Sequence, residues 1–195
     1  ASVEGSNRIH FQIGKTALSG GTGVCLVSGY DNDSDFYMNT SNTNSGGWNN
    51  SYMRKTILGT SLSSYSGTII AVIPAALRAV LKSVTKYTNN TGNSLSESAV
   101  TATTDYVFLL SEYEVFGSIS YANANEKSKQ AQYAYYSAGN SKVKYNHSAT
   151  SPAVIWWLRS PGASSSSFFV IVYSDGTVNY DYASYSRGVA PGFCV

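Results

Sequence analysis

Charge is what this chain has least of. Only 12% of its 195 residues are Asp, Glu, Lys or Arg, about half the usual share for a globular domain. The balance is +2, from 13 basic and 11 acidic residues, and neither Lys nor Arg clusters, which argues against a nucleic-acid partner. Histidine and cysteine are scarce too, at two each. His10 sits in an alternating stretch and His147 among polar residues, so neither has the surroundings of a catalytic triad. Without metal-ligand spacing these four residues make no zinc site. Cys25 and Cys194 are too few for a disulfide framework, and one bridge or two buried thiols both stay open. Gly20-Gly21-Thr22-Gly23 lacks the Lys-Ser/Thr ending of a phosphate loop and reads as a turn. Asp31, Asp33 and Asp35 alternate as in a calcium loop, but Phe36 stands where Gly is needed and Asn42 where the bidentate Glu is needed. A solvated loop is the reading there, with a loose calcium site as the alternative. No catalytic residue, resident metal or cofactor is expected, and the chain reads as non-enzymatic. No apolar run approaches the roughly 20 residues of a membrane span, so membrane insertion is not expected. Ala1 to Asn7 carry no charged-then-apolar export pattern and no initiator Met, which places any export signal upstream of position 1.

What the chain has instead is tyrosine, 16 residues of it, within a hydrophobic share of 43%. That share supports one sizeable core, read here as a single domain over 1–195. Tyr with Ser, Gly and Asn is the composition of a paratope, because Tyr offers contact area at low entropy cost. A β protein with many half-exposed strands has the same composition.

Residues 8–13 alternate like a half-buried strand, and 24–27 form a short apolar run. Residues 30–48 read as a long polar loop. Asn49 or Ser51 caps a short helix through Leu58, with Met53, Ile57 and Leu58 inward. A longer helix is expected from Pro74, burying Leu77, Val80, Leu81 and Val84. Residues 88–103 read as polar loop and 106–110 as a buried strand. Ser111 and Glu114 form a capping-box pattern for a helix stopped by Gly117. A further helical turn or two is expected in 130–136. From Val154 the pattern is β, with strands at 154–158, 168–173 and 188–195 and a turn at Ser174-Asp175-Gly176. The expected class is α+β, with few short helices, long loops and a β-rich C-terminal third.

One stretch carries a family resemblance: Trp156-Trp157-Leu158-Arg159-Ser160-Pro161, a Ser/Tyr-rich segment, then Gly188-Val189-Ala190-Pro191-Gly192-Phe193. With Gly46-Gly47-Trp48, Met53-Arg54, Val84-Thr85-Lys86-Tyr87, Leu109-Leu110-Ser111-Glu112 and Glu114-Val115-Phe116-Gly117, it covers most of the chain. The sequence resembles the C-type-lectin-fold domains of the formylglycine-generating-enzyme-like branch found in gut bacteria and their phages. Some of those are variable proteins of diversity-generating retroelements. The resemblance implies a C-type-lectin-like fold and a variable ligand-binding segment at 162–187. It implies a protein or glycan ligand on a target cell surface, and a place outside the cell on a phage virion or bacterial surface. The domain would be a homo-oligomer or fused to a larger carrier. An oxidase activity like that of the enzyme relatives would need a reactive cysteine pair, which Cys25 and Cys194 do not resemble.

In such systems template adenines are randomised, so an Asn codon varies at its first two bases and never yields Lys, Glu, Gln, Met or Trp. Residues 1–161 hold 21 of these five types, while 162–187 hold none, where composition gives roughly three. Phe169, Val170, Val172, Gly176, Val178 and Ala183 read as fixed scaffold. The ligand contacts implied by the resemblance are Ser164, Ser165, Ser167, Phe168, Ile171, Tyr173, Asp175, Thr177, Asn179, Tyr180, Asp181, Tyr182, Ser184, Tyr185 and Arg187. Strand alternation would turn them to solvent and the scaffold set inward. An ordinary exposed Ser/Tyr-rich face is the alternative. Trp48, Trp156, Trp157, Leu158, Val189 and Phe193 are assigned to packing, and Arg159 to hydrogen-bonding nearby carbonyls.

Overall fold

The computed structural model describes residues 36–145 and 153–195. The readings at 8–13 and 24–27, at Cys25, at His10 and His147, and at Asp31, Asp33 and Asp35 lie outside them.

Short helices and antiparallel strands alternate in a mixed α+β arrangement. The chain runs through α1 (Gly47–Asn50), a π-helical turn (Met53–Leu58), α2 (Ile69–Val72), α3 (Ala75–Arg78) and β1 (Val84–Asn89). A 3-10 turn (Glu97–Ala99) leads to β2 (Val100–Asp105), β3 (Val107–Phe108) and α4 (Glu112–Phe116). A second 3-10 turn (Ala124–Lys129) precedes α5 (Ala134–Ser137), β4 (Lys144–Tyr145) and β5 (Ala153–Val154). Then come β6 (Trp156–Pro161), β7 (Phe168–Val172), β8 (Val178–Tyr182) and β9 (Gly192–Phe193). β1 pairs β2, β3 pairs β9, β4 pairs β5, and β6-β7-β8 form a three-stranded antiparallel sheet.

That sheet divides the core. Trp157, Phe169 and Ile171 join one buried cluster with Trp48, Met53, Ile57 and Phe108. Trp156, Leu158, Val170 and Val172 join a second with Val115 and Tyr136. β7 is therefore covered on both faces, and the expected inward–outward alternation along it fails. Period 2 still sorts the side chains, but it sorts them between two cores rather than between core and water.

The capping box is as expected. Ser111 Oγ accepts the Glu114 N–H at 3.1 Å, Glu114 accepts the Ser111 N–H at 3.0 Å, and Gly117 ends α4 at φ 68°, a conformation that favours glycine. Met53, Ile57 and Leu58 are fully buried, and Ser51 Oγ accepts the Arg54 N–H at 3.1 Å.

The helix expected from Pro74 is one turn long. Pro74 precedes it, Val80 is exposed, and Val84 opens β1 instead. Local periodicity loses to tertiary pairing here. Lys82 donates its N–H to Cys194 at 2.9 Å, and Val84 is in register with Asp105. The 88–103 stretch is not simply a loop. Its ends belong to the β1–β2 hairpin, with Lys86, Thr88, Thr103 and Asp105 buried. Polar residues bury here because they are bonded. Thr103 Oγ1 reaches Asp105 at 2.7 Å, and Asp105 also takes Arg54 Nε at 2.6 Å and Trp48 Nε1 at 3.1 Å. Within 36–48, Phe36, Met38, Asn44 and Trp48 are buried, so this stretch packs inward rather than trailing in solvent. The helical turns expected in 130–136 lie at 124–129 and 134–137, and the last strand shortens to 192–193 with bridges at Gly188 and Cys194.

Candidate functional site: an aromatic face on the C-terminal hairpin

β7 and β8 are joined by a turn in which Tyr173 donates to the Thr177 carbonyl at 2.7 Å. Gly176 sits at φ 88°, a conformation open to glycine at no steric cost. Thr177 holds Asp175 through its hydroxyl at 2.6 Å and its amide at 2.9 Å, which keeps that carboxyl below its usual range. Register places Phe168 opposite Tyr182 and Val170 opposite Tyr180, so these four share one face of the pleat.

At the end of the sheet nearer Phe168 the face turns aromatic. Tyr180 lies 4.6 Å from Phe168, Phe168 lies 4.7 Å from Tyr182, and Tyr182 lies 5.3 Å from Tyr185, all between ring centroids. These tilted and edge-on contacts are the favourable aromatic geometries. The Arg187 guanidinium lies 5.5 Å from the Tyr185 ring and pairs with Asp181 at 2.5 Å. Tyr173, Tyr180, Tyr182 and Tyr185 are 41%, 42%, 39% and 45% exposed. Each is a half-sunk ring with a free side, the form in which Tyr serves an interface.

Of the fifteen candidate contacts, Ser164, Asp175 and Thr177 are also exposed. Ser165, Ser167, Phe168, Asn179, Asp181, Ser184 and Arg187 are half-buried. Ile171 is a correction: it is 1% exposed and belongs to the core beneath the sheet. The scaffold set fares as expected, since Phe169, Val170, Val172 and Ala183 are fully buried and Val178 half-buried. Trp48, Trp156, Trp157, Leu158 and Val189 are buried, and Phe193 packs against the core.

The face is held by residues the sequence reading passed over. Asn44 is buried, and its Nδ2 reaches the carbonyls of Gly162, Ser165 and Phe168 at 3.0, 2.7 and 3.0 Å, while its N–H reaches Ser166 at 2.7 Å. One amide thus fixes the loop between β6 and β7. Asn42 accepts from Ser184, and Asn39 donates its N–H to the Ala183 carbonyl at 2.9 Å. Tyr121 places its ring 4.8 Å from Tyr180, edge to face. No sequence signal marks these partners, because Asn44 looks like any polar loop residue and its acceptors lie 118 to 124 positions away.

A buried charge cluster centres on Arg159 in β6. Arg159 donates to Thr88 Oγ1 at 2.7 Å, to the Leu109 carbonyl at 2.9 Å, to the Tyr87 carbonyl at 3.3 Å and to Glu114. This fits the structural-donor role expected of it. Lys86 bonds Glu114 at 2.9 Å and the Tyr133 hydroxyl at 2.8 Å, and lies 4.1 Å from the Phe108 ring centre. Burial lowers the Lys86 pKa despite Glu114 beside it. Burial would raise Glu114, but Arg159 and Lys86 hold its carboxyl at about 2. The cluster is closed to solvent, and its charges are used in holding strands together.

Among the described residues no group of three His, Cys, Asp or Glu side chains could hold a metal ion. None of their helices is long and apolar enough to cross a membrane. Residues 22–195 match a family described as a domain of unknown function (DUF6273). The chain belongs to this family. No curated protein and no solved structure matches it. The family match spans the face, the clamp at Asn44 and the buried cluster together.

Proposed function

We propose that this chain is a non-enzymatic ligand-binding domain of C-type-lectin-like fold whose C-terminal hairpin carries a diversified face. The observation that carries the reading is a half-exposed row of aromatic rings on a hairpin whose inward positions are locked in two cores. Substitution at the accessible positions leaves both cores intact. Core changes, by contrast, commonly cost about 1–5 kcal/mol against a total stability of about 5–15. A surface that must change while its scaffold survives needs this separation, and fourteen of the fifteen candidate positions meet it. The ligand class is a protein or glycan on a target cell. The domain would act outside its own cell, on a virion or bacterial surface, as an oligomer or fused to a carrier.

A second reading, a fixed-specificity adhesion or structural module, draws on one observation. Asp181, Arg187 and Ser184 are engaged in bonds within the chain, which suits a face that does not vary.

Deep sequencing of the 3′ end of the gene from a growing population separates the two. Substitutions confined to codons 162–187, at adenines of a nearby template repeat, are the expected result. Invariant codons with no repeat nearby would leave the fixed-specificity reading standing.

A further inference from the structure

We propose that Tyr121, which lies outside the 162–187 segment, is a fixed contact residue of the same face for a folded protein partner, and that Glu112 positions it. The inference rests on the binding-face reading above and adds a constant element to it.

Tyr121 opens the row of rings. Its side chain is half-buried and meets Tyr180 edge to face at 4.8 Å, so the row runs from Tyr121 through Tyr180, Phe168 and Tyr182 to Tyr185. Its backbone is held from both sides. The Tyr121 N–H is shared between the two Glu112 carboxylate oxygens at 3.3 and 3.2 Å, while the flanking N–H groups of Ser120 and Ala122 reach the same carboxylate at 2.5 and 2.7 Å. The Tyr121 carbonyl accepts the Ala163 N–H at 2.9 Å, tying this loop to the start of the variable segment.

Glu112 is itself fixed. It is buried on α4, and its own N–H donates to Ser160 Oγ at 3.1 Å in β6. Three consecutive backbone N–H groups converge on its carboxyl, and these bonds oppose the upward push that burial gives its pKa. A loop that merely filled space would not need a buried carboxylate to order it. Ordering a Tyr before the partner arrives removes part of the entropy cost of binding. A pre-ordered Tyr beside variable neighbours supplies the kind of anchor that dominates protein interfaces, whatever the neighbours become. Tyr rings with a Ser-rich surround, Ser164 to Ser167 and Ser184 among them, are the chemistry of a protein-binding paratope, which is why a folded protein is the partner class.

The test uses the full chain. Two display libraries randomise the fourteen accessible candidate positions, one with Tyr121 and one with Tyr121→Ala, and both are selected against a single folded protein, lysozyme. Binders are expected from the Tyr121 library. Introducing Y121A into them should weaken affinity about tenfold or more while melting shifts by only a few degrees. Y121L keeps bulk at the site and serves the same comparison should Y121A melt early. Glu112→Gln should weaken binders that carry Tyr121 and add little once residue 121 is Ala, a coupling read by a double-mutant cycle. Affinity unchanged by Y121A and Y121L overturns the contact role. An equal loss from E112Q in both backgrounds overturns the positioning role. Failure of both libraries to yield any binder overturns the binding-face reading instead.

Discussion

The guanidinium of Arg159 is completely buried, yet it reaches four acceptors on β1, on the segment after β3 and on α4. A planar fork with fixed donors can do this, whereas an ammonium on a flexible stem cannot. Removing one partner of such a pair leaves an uncompensated charge inside, typically at a cost of about 3–5 kcal/mol. Glu114→Gln should therefore lower the unfolding free energy by about 3 kcal/mol in urea titration, and Arg159→Leu, which leaves Glu114 short of a partner, by a similar amount. A loss under about 1 kcal/mol in both would mean that the cluster does not hold the strands. The sequence shows part of this. Ser111 and Glu114 stand at capping-box spacing, and the structure uses them so. The second duty of Glu114, pairing Lys86 and Arg159 at 28 and 45 positions' distance, leaves no local trace.

β8 is an edge strand open to unwanted pairing, since among the described residues it pairs with β7 on one side only. Its N–H groups at Tyr180 and Tyr182 are taken by the preceding side chains, Asn179 Oδ1 at 2.8 Å and Asp181 Oδ1 at 2.9 Å. Edge strands that leave such groups free are templates for another chain. The double variant Asn179→Ala/Asp181→Ala should therefore self-associate with rising concentration in analytical ultracentrifugation, while its melting temperature changes little. If it sediments as the parent does across the whole range, the guard role is lost. The same scale shows where local pattern misleads. Leu77, Val80, Leu81 and Val84 recur at helical spacing, but Val84 is needed by the β1–β2 hairpin and the helix stops after Arg78. Threonines 88 and 103 look solvated because they are polar, yet they are buried with their hydroxyls bonded.

At the scale of the molecule, three buried carboxylates set the response to pH. Burial pushes Glu126 up to about 7, against bonds from the Asn89 N–H at 2.9 Å and the Ser160 hydroxyl at 2.8 Å. Burial also raises Glu112. Glu114, held at about 2 by Arg159 and Lys86, lies on the other side of the ordinary 4.5. Between pH 4.5 and 7 the folded chain binds more protons than the unfolded one through Glu126, so stability falls as pH rises through that window. Below 4.5 the order reverses through Glu114, and stability falls as pH drops toward 2. Melting should therefore be highest near pH 4.5 to 5 and decline toward 7.5, by an amount corresponding to about 3 kcal/mol for Glu126. Glu126→Gln should flatten most of that decline. A melting temperature that climbs from pH 5 to 7.5 would contradict the assignment.

By itself the sequence determined the class of element in the C-terminal third, the capping box at Ser111, the turn at Gly176 and the apolar scaffold positions from Phe169 to Ala183. Each depends on neighbours a few residues apart, where capping, turn chemistry and side-chain period act directly. Tertiary structure decided what lies far apart in the chain. It put Ile171 in the core by covering both faces of β7, clamped the 162–168 loop through Asn44, and brought Tyr121 to the row of rings. Contacts across such separations depend on which surfaces pack together, and local pattern carries no record of the partner.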